Sequence, residues 1–304
     1  MDVVVFGAGS LGSLVGGLLA RAHDVTLVGR DPHVSAVSES GLRVEGAVTA
    51  TVYPTATTAV PERRFDLGVV TVKSYDTAAA ASALAGHVDA ALSLQNGLGN
   101  ETALAAELSG PVLAGTCTYG ARLDGPGRVE CTGLGDVALG PREGSDAGEE
   151  TTALAERVGA AFAESGMETV VAEDMPRRRW EKLAVNAGIN AATALARVPN
   201  GALVDGPAGG TAREAARETA RVAREQGVDL DDETAAEAVA SVAAATARNT
   251  SSMRQDVERG RRTEVDAIHG AVAERGSEAG VATPVSATLA ALVRAWEREG
   301  DLRA

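Results

Sequence analysis

Lysine is almost missing from this chain. Of its 28 basic residues only Lys73 and Lys182 are lysines, and the rest are arginines. Aromatic residues make up 3% of the 304 positions, so any core has to be assembled from Ala, Val and Leu. The two cysteines, Cys117 and Cys131, are far apart and form no CxxC pair, which argues against a disulfide framework or a zinc site. The four histidines (His23, His33, His87, His269) do not cluster as ligands would and are expected on the surface or in packing roles. There is no run of about 18 uncharged apolar residues, so no membrane span is expected. Met1 leads directly into VVVFG, without the basic start and apolar stretch of a secretory signal, and a soluble, cytoplasmic protein is expected. Positive charge is also in deficit: the net charge is −14 and the sequence pI is near 4.8. That argues against a nucleic-acid partner, which needs clustered cations to displace counterions. An acidic, Ala-rich, lysine-poor composition reads either as adaptation to high salt or as the codon bias of a GC-rich genome.

What is present is apolar content, 45% of residues, in a chain longer than one compact core usually organises. The first half alternates β-rich runs with Ala/Leu-rich helical segments. Strands are predicted at Val3–Phe6, Val25–Val28, Leu67–Val72, Ala91–Leu94 and Val112–Thr116. Apolar runs buried on both faces and separated by helices indicate a parallel, doubly wound sheet. Thr118 to Leu139 reads as antiparallel hairpins appended to that sheet, with turns at Asp124-Gly125 and Gly133. Pro141 to Gly148 is predicted as a loop, Glu149 to Ser165 as a helix, and Glu168 to Ala172 as the last strand. Beyond Asp174 the strand signal vanishes. Segments 176–196, 207–227, 231–259 and 263–280, and a final stretch from Pro284 to Arg298, are helical by composition. The expected organisation is an α/β Rossmann-type domain over 1–172 and an all-α domain over 173–304, closely packed with a ligand cleft between them.

Strand Val3–Phe6 runs into Gly7-Ala8-Gly9-Ser10-Leu11-Gly12, a GxGxxG that opens a helix. The glycines permit a tight turn and close backbone approach to a pyrophosphate, and the helix N-terminus supplies free N–H donors. The second strand ends at Val28-Gly29-Arg30-Asp31. Arg30 suits the 2′-phosphate of NADPH better than the ribose hydroxyls of NADH, although NADH remains open. Asp31 either caps the next segment or binds ribose. Lys73, after the third strand, is either a solvated lysine or a contact to cofactor phosphate or ribose. Asn96-Gly97 is either a plain turn or places Asn96 at the nicotinamide or substrate.

The most informative stretch is Trp180-Glu181-Lys182-Leu183-Ala184-Val185-Asn186-Ala187-Gly188-Ile189-Asn190. Lys182, Asn186 and Asn190 recur at i, i+4 and i+8, so a helix aligns them on one stripe about 12 Å long. Asparagine is a poor helix former and costly to bury alone. Two of them in line with a lysine point to a polar groove, the other reading being a solvated face with incidental asparagines.

With GAGSLG, VTVKSYD, QNGLGN, GTCTYGARLDGPG, RRWEKLAVNAGIN, VPNG, NTSSMRQD and RTEVDAIHG in this order, the chain resembles the ketopantoate (2-dehydropantoate) reductase family over essentially its whole length. The resemblance implies a C-terminal domain like that of 6-phosphogluconate dehydrogenase, and reduction of ketopantoate to pantoate with NADPH on the way to pantothenate and coenzyme A. It implies Lys182 as proton donor to the 2-keto oxygen. Asn186, Asn190 and Asn200 would line the substrate pocket, and Asn249, Thr250, Ser251 and Ser252 would hold the substrate carboxylate. Gly7, Ala8, Gly9, Ser10, Leu11, Gly12, Arg30, Lys73, Asn96, Ala121 and Glu264 would contact the cofactor, with Glu264 near the substrate too. Ser251 and Ser252 also suit a helix cap, and Glu264 suits a helix first turn. The sequence departs from the family pattern at Gln95, where histidine is frequent, and at Ala191, where proline is common. Two other readings stay open: a related 2-keto or hydroxy acid dehydrogenase, and an NADPH sensor without chemistry. The partner in the enzyme readings is a small 2-keto acid, handled by a monomer or homodimer.

Overall fold

The computed structural model describes residues 1–142 and 148–303. The chain divides into two compact units, Met1–Gln95 with Gly99–Met175, and Asn96–Leu98 with Pro176–Ala304. In chain order the strands are β1 (Asp2–Phe6), β2 (Asp24–Val28), β3 (Leu42–Gly46), β4 (Ala50–Val52), β5 (Thr55–Thr57) and β6 (Leu67–Val70). They continue with β7 (Ala91–Ser93), β8 (Val112–Cys117), β9 (Gly120–Leu123), β10 (Arg128–Gly133), β11 (Asp136–Pro141) and β12 (Glu168–Val171). The helices of this first unit are α1 (Ser10–Leu19), α2 (His33–Ser40), α3 (Thr77–Leu84), α4 (Asn100–Glu107) and α5 (Glu149–Glu164).

The main sheet has eight strands in the order β12-β11-β8-β7-β6-β1-β2-β5. From β5 to β8 every pairing is parallel, β11 is antiparallel to β8, and β12 is parallel to β11. Alternation along β1 explains why both faces are covered. Val3 and Val5 join the core formed with α1 and α5, through Leu14, Leu18 and Phe162. Val4 points to the opposite core, with Ala80 and Leu84 of α3 and Leu104 of α4. Each such fully buried Val or Leu contributes about 1.5–3 kcal/mol.

Several elements differ from those expected from sequence. β9 and β10 do form the hairpin turning at Asp124-Gly125, but they are not appended to the main sheet. They belong to a separate four-stranded sheet, β4-β3-β10-β9, in which β10 runs parallel to β3. The segment 42–57, left unassigned by the sequence pattern, supplies three strands. The third main strand stops at Val70, so Thr71, Val72 and Lys73 are a connection rather than strand. Pro141 is the last residue of β11 rather than the start of a loop, and 143–147 of that predicted loop lie outside the described residues.

The second unit is helical: α6 (Met175–Ala196, its first residue in the other unit), α7 (Gly209–Glu225), α8 (Asp232–Ala245), α9 (Ser252–Glu258), α10 (Ala271–Ala279) and α11 (Pro284–Glu299). Its core is alanine-rich, as the shortage of aromatics requires, with Ala184, Ala187, Ala191, Ala212, Ala216 and Ala220 all fully buried. Such small side chains let helices approach closely. A Cβ on Gly188 of α6 would come within 2.5 Å of Val239 Cγ2 and 2.9 Å of the Ala212 carbonyl. The helix expected over 231–259 is two helices: α8 stops at Ala245, and after a non-helical stretch Ser251 caps α9. The helix expected over 263–280 starts later: 263–265 are not helical, a π-helical turn follows at Asp266–Gly270, and then α10. Among the described residues no helix is long and apolar enough to cross a membrane.

Candidate active site

In the α/β unit, the turn after β1 is tied closely to its neighbours. Gly7 has φ +111°, a conformation that L side chains rarely adopt. The Gly7 and Ala8 amides both donate to the Val28 carbonyl at 2.9 Å, tying the turn to β2. Thr71 Oγ1 donates to the Gly7 carbonyl at 3.0 Å, and a Cβ on Gly12 would lie 2.2 Å from that oxygen. Gly9 differs, since a Cβ there would meet nothing nearer than the Gly7 carbonyl at 3.8 Å. Ser10, Leu11 and Gly12 begin α1, and their amides have no carbonyl one turn back, which leaves them for an anion. Ser10 Oγ accepts from the Leu123 amide at 3.1 Å, so β9, the strand that carries Ala121, lies against the start of α1. Arg30 is exposed just beyond β2, and Lys73 is half-buried before a 3-10 turn at Ser74–Asp76. Asp31 acts as a cap: its Oδ1 accepts from the Ser35 amide at 3.2 Å and the Ser35 hydroxyl at 2.6 Å.

In the helical unit, α6 presents Lys182 and Asn186 half-buried and Asn190 at 3% exposure, while Trp180, Leu183, Ala184 and Ala187 anchor the other side. Asn190 Oδ1 accepts from Ser252 Oγ at 3.4 Å, and its buried Nδ2 has no hydrogen-bond partner. Asn200 Nδ2 donates to Thr246 Oγ1 at 2.9 Å, and its buried Oδ1 likewise has none. The Asn200 amide donates to the Asn249 carbonyl at 3.1 Å. The three separate stretches around Asn190, Asn200 and Asn249–Ser252 are thus brought together, with one donor and one acceptor left over. Orphaned buried polar atoms are costly unless a ligand completes them.

Ser251 and Ser252 have different positions. Thr193 Oγ1 donates to the Ile189 carbonyl at 2.7 Å, so the 2.7 Å contact between the Thr193 and Ser251 hydroxyls uses the Ser251 proton. Ser251 Oγ then accepts from the Arg254 amide at 3.2 Å as the cap of α9. Its hydroxyl is therefore engaged on both sides, whereas Ser252 is exposed. Asn249 is exposed and Thr250 half-buried, the Thr250 carbonyl accepting from Gln255 Nε2 at 3.0 Å.

Asn96 groups with the helical unit although it follows β7. Its Nδ2 donates to Glu264 Oε2 at 3.2 Å. Glu264 is 5% exposed and lies at a bend before the π-helical turn, not in a helix. Gly97, with φ +84°, packs so tightly on Ala267 that a Cβ would sit 2.5 Å from its carbonyl oxygen. Sequence reasoning passed over Thr193, Thr246 and Arg179, whose Nη2 donates to the Gly97 carbonyl at 3.4 Å. Only Thr193, three residues past Asn190 on the same helix, carried a readable signal. His269 is fully buried with no partner at either ring nitrogen, and burial holds its pKa down to about 4. Among the described residues no cluster of His, Cys, Asp and Glu could hold a metal.

Residues 3–144 match the family model "Ketopantoate reductase PanE/ApbA", and residues 174–297 match "Ketopantoate reductase PanE/ApbA C terminal". A 2-dehydropantoate 2-reductase of Halobacterium salinarum is 48% identical, over 99% of this chain and 100% of that one. One from Archaeoglobus fulgidus is 43% identical over 97% of each. Among solved structures, a PanE/ApbA family ketopantoate reductase from Ralstonia eutropha superposes with a TM-score of 0.88 at 33% identity, over 99% of this chain and 100% of that one. A D-mandelate dehydrogenase in a ternary structure with NADH and anilino(oxo)acetate reaches a TM-score of 0.91 at 25% identity over 100% of both. Identity at this level over the full length, carried through both family models, makes the chain a member of the ketopantoate reductase family.

Proposed function

We propose that the protein is a 2-dehydropantoate 2-reductase that uses NADPH, with Lys182 as proton donor. The observation that carries this reading is the Lys182–Asn186–Asn190 stripe of α6 ending at two buried, unsatisfied amide atoms, Asn190 Nδ2 and Asn200 Oδ1. One can donate to a substrate oxygen, and the other can accept from a hydroxyl, which 2-dehydropantoate carries. Ser252 and the amides opening α9 suit its carboxylate.

The cradle around Gly7 to Gly12 fits a dinucleotide, with room at Gly9 and unpaired amides at the start of α1, and Arg30 favours a 2′-phosphate. NADPH, when bound, supplies the hydride that reaches the keto carbon. Lys182 Nζ donates a hydrogen bond to the keto oxygen, stabilises the charge that builds there, and gives up its proton as the alcohol forms. Arginine at this position would hold the charge but keep the proton. Asn190 and Asn200 orient the keto acid, and Glu264, held by Asn96, completes the polar lining. The acidic, lysine-poor composition fits a protein adapted to high salt, and the relative in Halobacterium salinarum supports that.

The test is NADPH oxidation on addition of 2-dehydropantoate in high salt, for the wild type and Lys182→Ala. The variant should lose about 100- to 10,000-fold in kcat while still binding NADPH. Unchanged turnover would remove Lys182 from the mechanism. The likeness to D-mandelate dehydrogenase favours a second reading, in which another 2-keto acid is preferred. A substrate panel compared by kcat/KM separates the two.

A further inference from the structure

Residues 259–265, which carry Glu264, belong to neither helix nor strand, and the Glu264 carbonyl accepts from the Ile268 amide of the following turn at 3.1 Å. A side-chain device holds the residues on either side of it. Glu297, in the last turn of α11, is completely buried. Its Oε1 accepts from both the Thr263 amide at 2.7 Å and the Thr263 hydroxyl at 2.6 Å. Its Oε2 accepts from Arg303 Nε at 2.5 Å. The same Thr263 hydroxyl oxygen accepts from the Val265 amide at 3.2 Å. Both chain neighbours of Glu264 are therefore fixed through one hydroxyl, and that hydroxyl is fixed by one carboxylate. Beyond them Arg303 also pairs with Asp266, which Arg294 holds at 2.9 Å, so the start of the π-helical turn is tied to the same cluster.

We propose that Glu297, acting through Thr263, is the positioning residue that sets Glu264 against Asn96, with Arg303 as its counter-ion. The proposal rests on the reading of Glu264 as part of the substrate and cofactor lining. A buried carboxylate that only stabilised the fold could be satisfied anywhere along α11. This one divides its oxygens between the residue that precedes Glu264 and the arginine six positions further along the chain. The arrangement is selective as well. Glutamine at 297 would turn an NH2 either toward Arg303 or toward the Thr263 donors, so one side of the clamp opens. Misplacement of a lining group by about 1 Å is enough to cost on the order of 100-fold in rate.

The experiment is a double-mutant cycle on the full-length protein, with kcat and KM measured for 2-dehydropantoate and NADPH. The single variants are Thr263→Val, Thr263→Ser and Glu264→Gln, and the double variant combines Thr263→Val with Glu264→Gln. Thr263→Val is nearly isosteric and leaves the amide bond to Glu297 intact, and Thr263→Ser restores the hydroxyl. Thr263→Val should lower kcat/KM by about 10- to 100-fold, Thr263→Ser should recover most of it, and the double variant should be no worse than Glu264→Gln alone. Glu297→Gln, checked by thermal melting to be folded, should reproduce the Thr263→Val loss. If the Thr263→Val and Glu264→Gln losses multiply, or Thr263→Val is silent while Glu264→Gln is impaired, the positioning role is wrong and the Glu264 reading stands. If Glu264→Gln alone is silent, the Glu264 reading fails and takes the clamp with it.

Discussion

Ser251 and Thr193 face each other through their hydroxyls at 2.7 Å, and because Thr193 donates back to the Ile189 carbonyl, the proton between them belongs to Ser251. This relationship separates two adjacent serines that look interchangeable in sequence. Ser251→Ala should destabilise the protein by about 1 kcal/mol through loss of the α9 cap, with a minor change in KM. Ser252→Ala should leave the melting temperature unchanged and raise KM for the keto acid several-fold. Thermal melts and steady-state kinetics on the two variants check both halves. A reversed pattern would assign the carboxylate contact to Ser251.

Gly9 and Gly12, in the turn after β1, differ in the space around them. At Gly12 an added Cβ collides with the Gly7 carbonyl, so Gly12→Ala should cost about 1–3 kcal/mol of stability even without cofactor. At Gly9 there is open space in the protein itself, so Gly9→Ala should melt like the wild type yet bind NADPH at least about 10-fold more weakly, because the methyl occupies the approach of the pyrophosphate. Titration of NADPH fluorescence alongside a thermal melt tests the distinction. Wild-type affinity in Gly9→Ala would place the pyrophosphate elsewhere.

Arg30 is exposed beyond β2, while its carbonyl accepts from the amides of His33 and Val34 at 3.2 and 3.3 Å. The side chain can therefore change without disturbing the start of α2. Arg30→Ala should raise KM for NADPH about 10- to 100-fold, the equivalent of a lost charge-assisted contact, and leave KM for NADH nearly unchanged. Equal effects on both cofactors would mean that Arg30 does not read the 2′-phosphate.

His269 makes stability depend on pH. Burial holds its folded pKa down at about 4, against 6.5 as the ordinary value. Between these values the unfolded chain takes up a proton that the folded protein refuses, so stability falls as pH falls from 6.5 toward 4 and is fully present above 6.5. The contribution lost is on the order of 3 kcal/mol. Urea unfolding at pH 7.5 and pH 5 should show the wild type losing more stability than His269→Leu. Equal losses would show that another group controls the acid limb.

The parallel sheet, the GxGxxG turn and the polar stripe of α6 were all legible because each is written in local periodicity: buried runs such as VVVF, or a lysine and two asparagines four apart. The second sheet was not, because β3 pairs with β10, more than eighty residues away, and no local pattern announces a partner at that distance. Alanine-rich composition carries a helical expectation straight through residues 246–251, although α8 ends at Ala245 and the Ser251 side chain caps the start of α9. The Asn96–Glu264 and Thr263–Glu297 bonds join residues 168 and 34 positions apart, and pairings of that kind emerge only once the chain is folded.

Lys73 and Lys182, both half-buried, turn the rarity of their residue type into an intrinsic probe. Isotope labelling of lysine alone would give two side-chain ammonium resonances. Tracking the one that disappears in Lys182→Ala through a pH titration would report the ionisation of that ammonium directly, in the intact protein and without a reporter group.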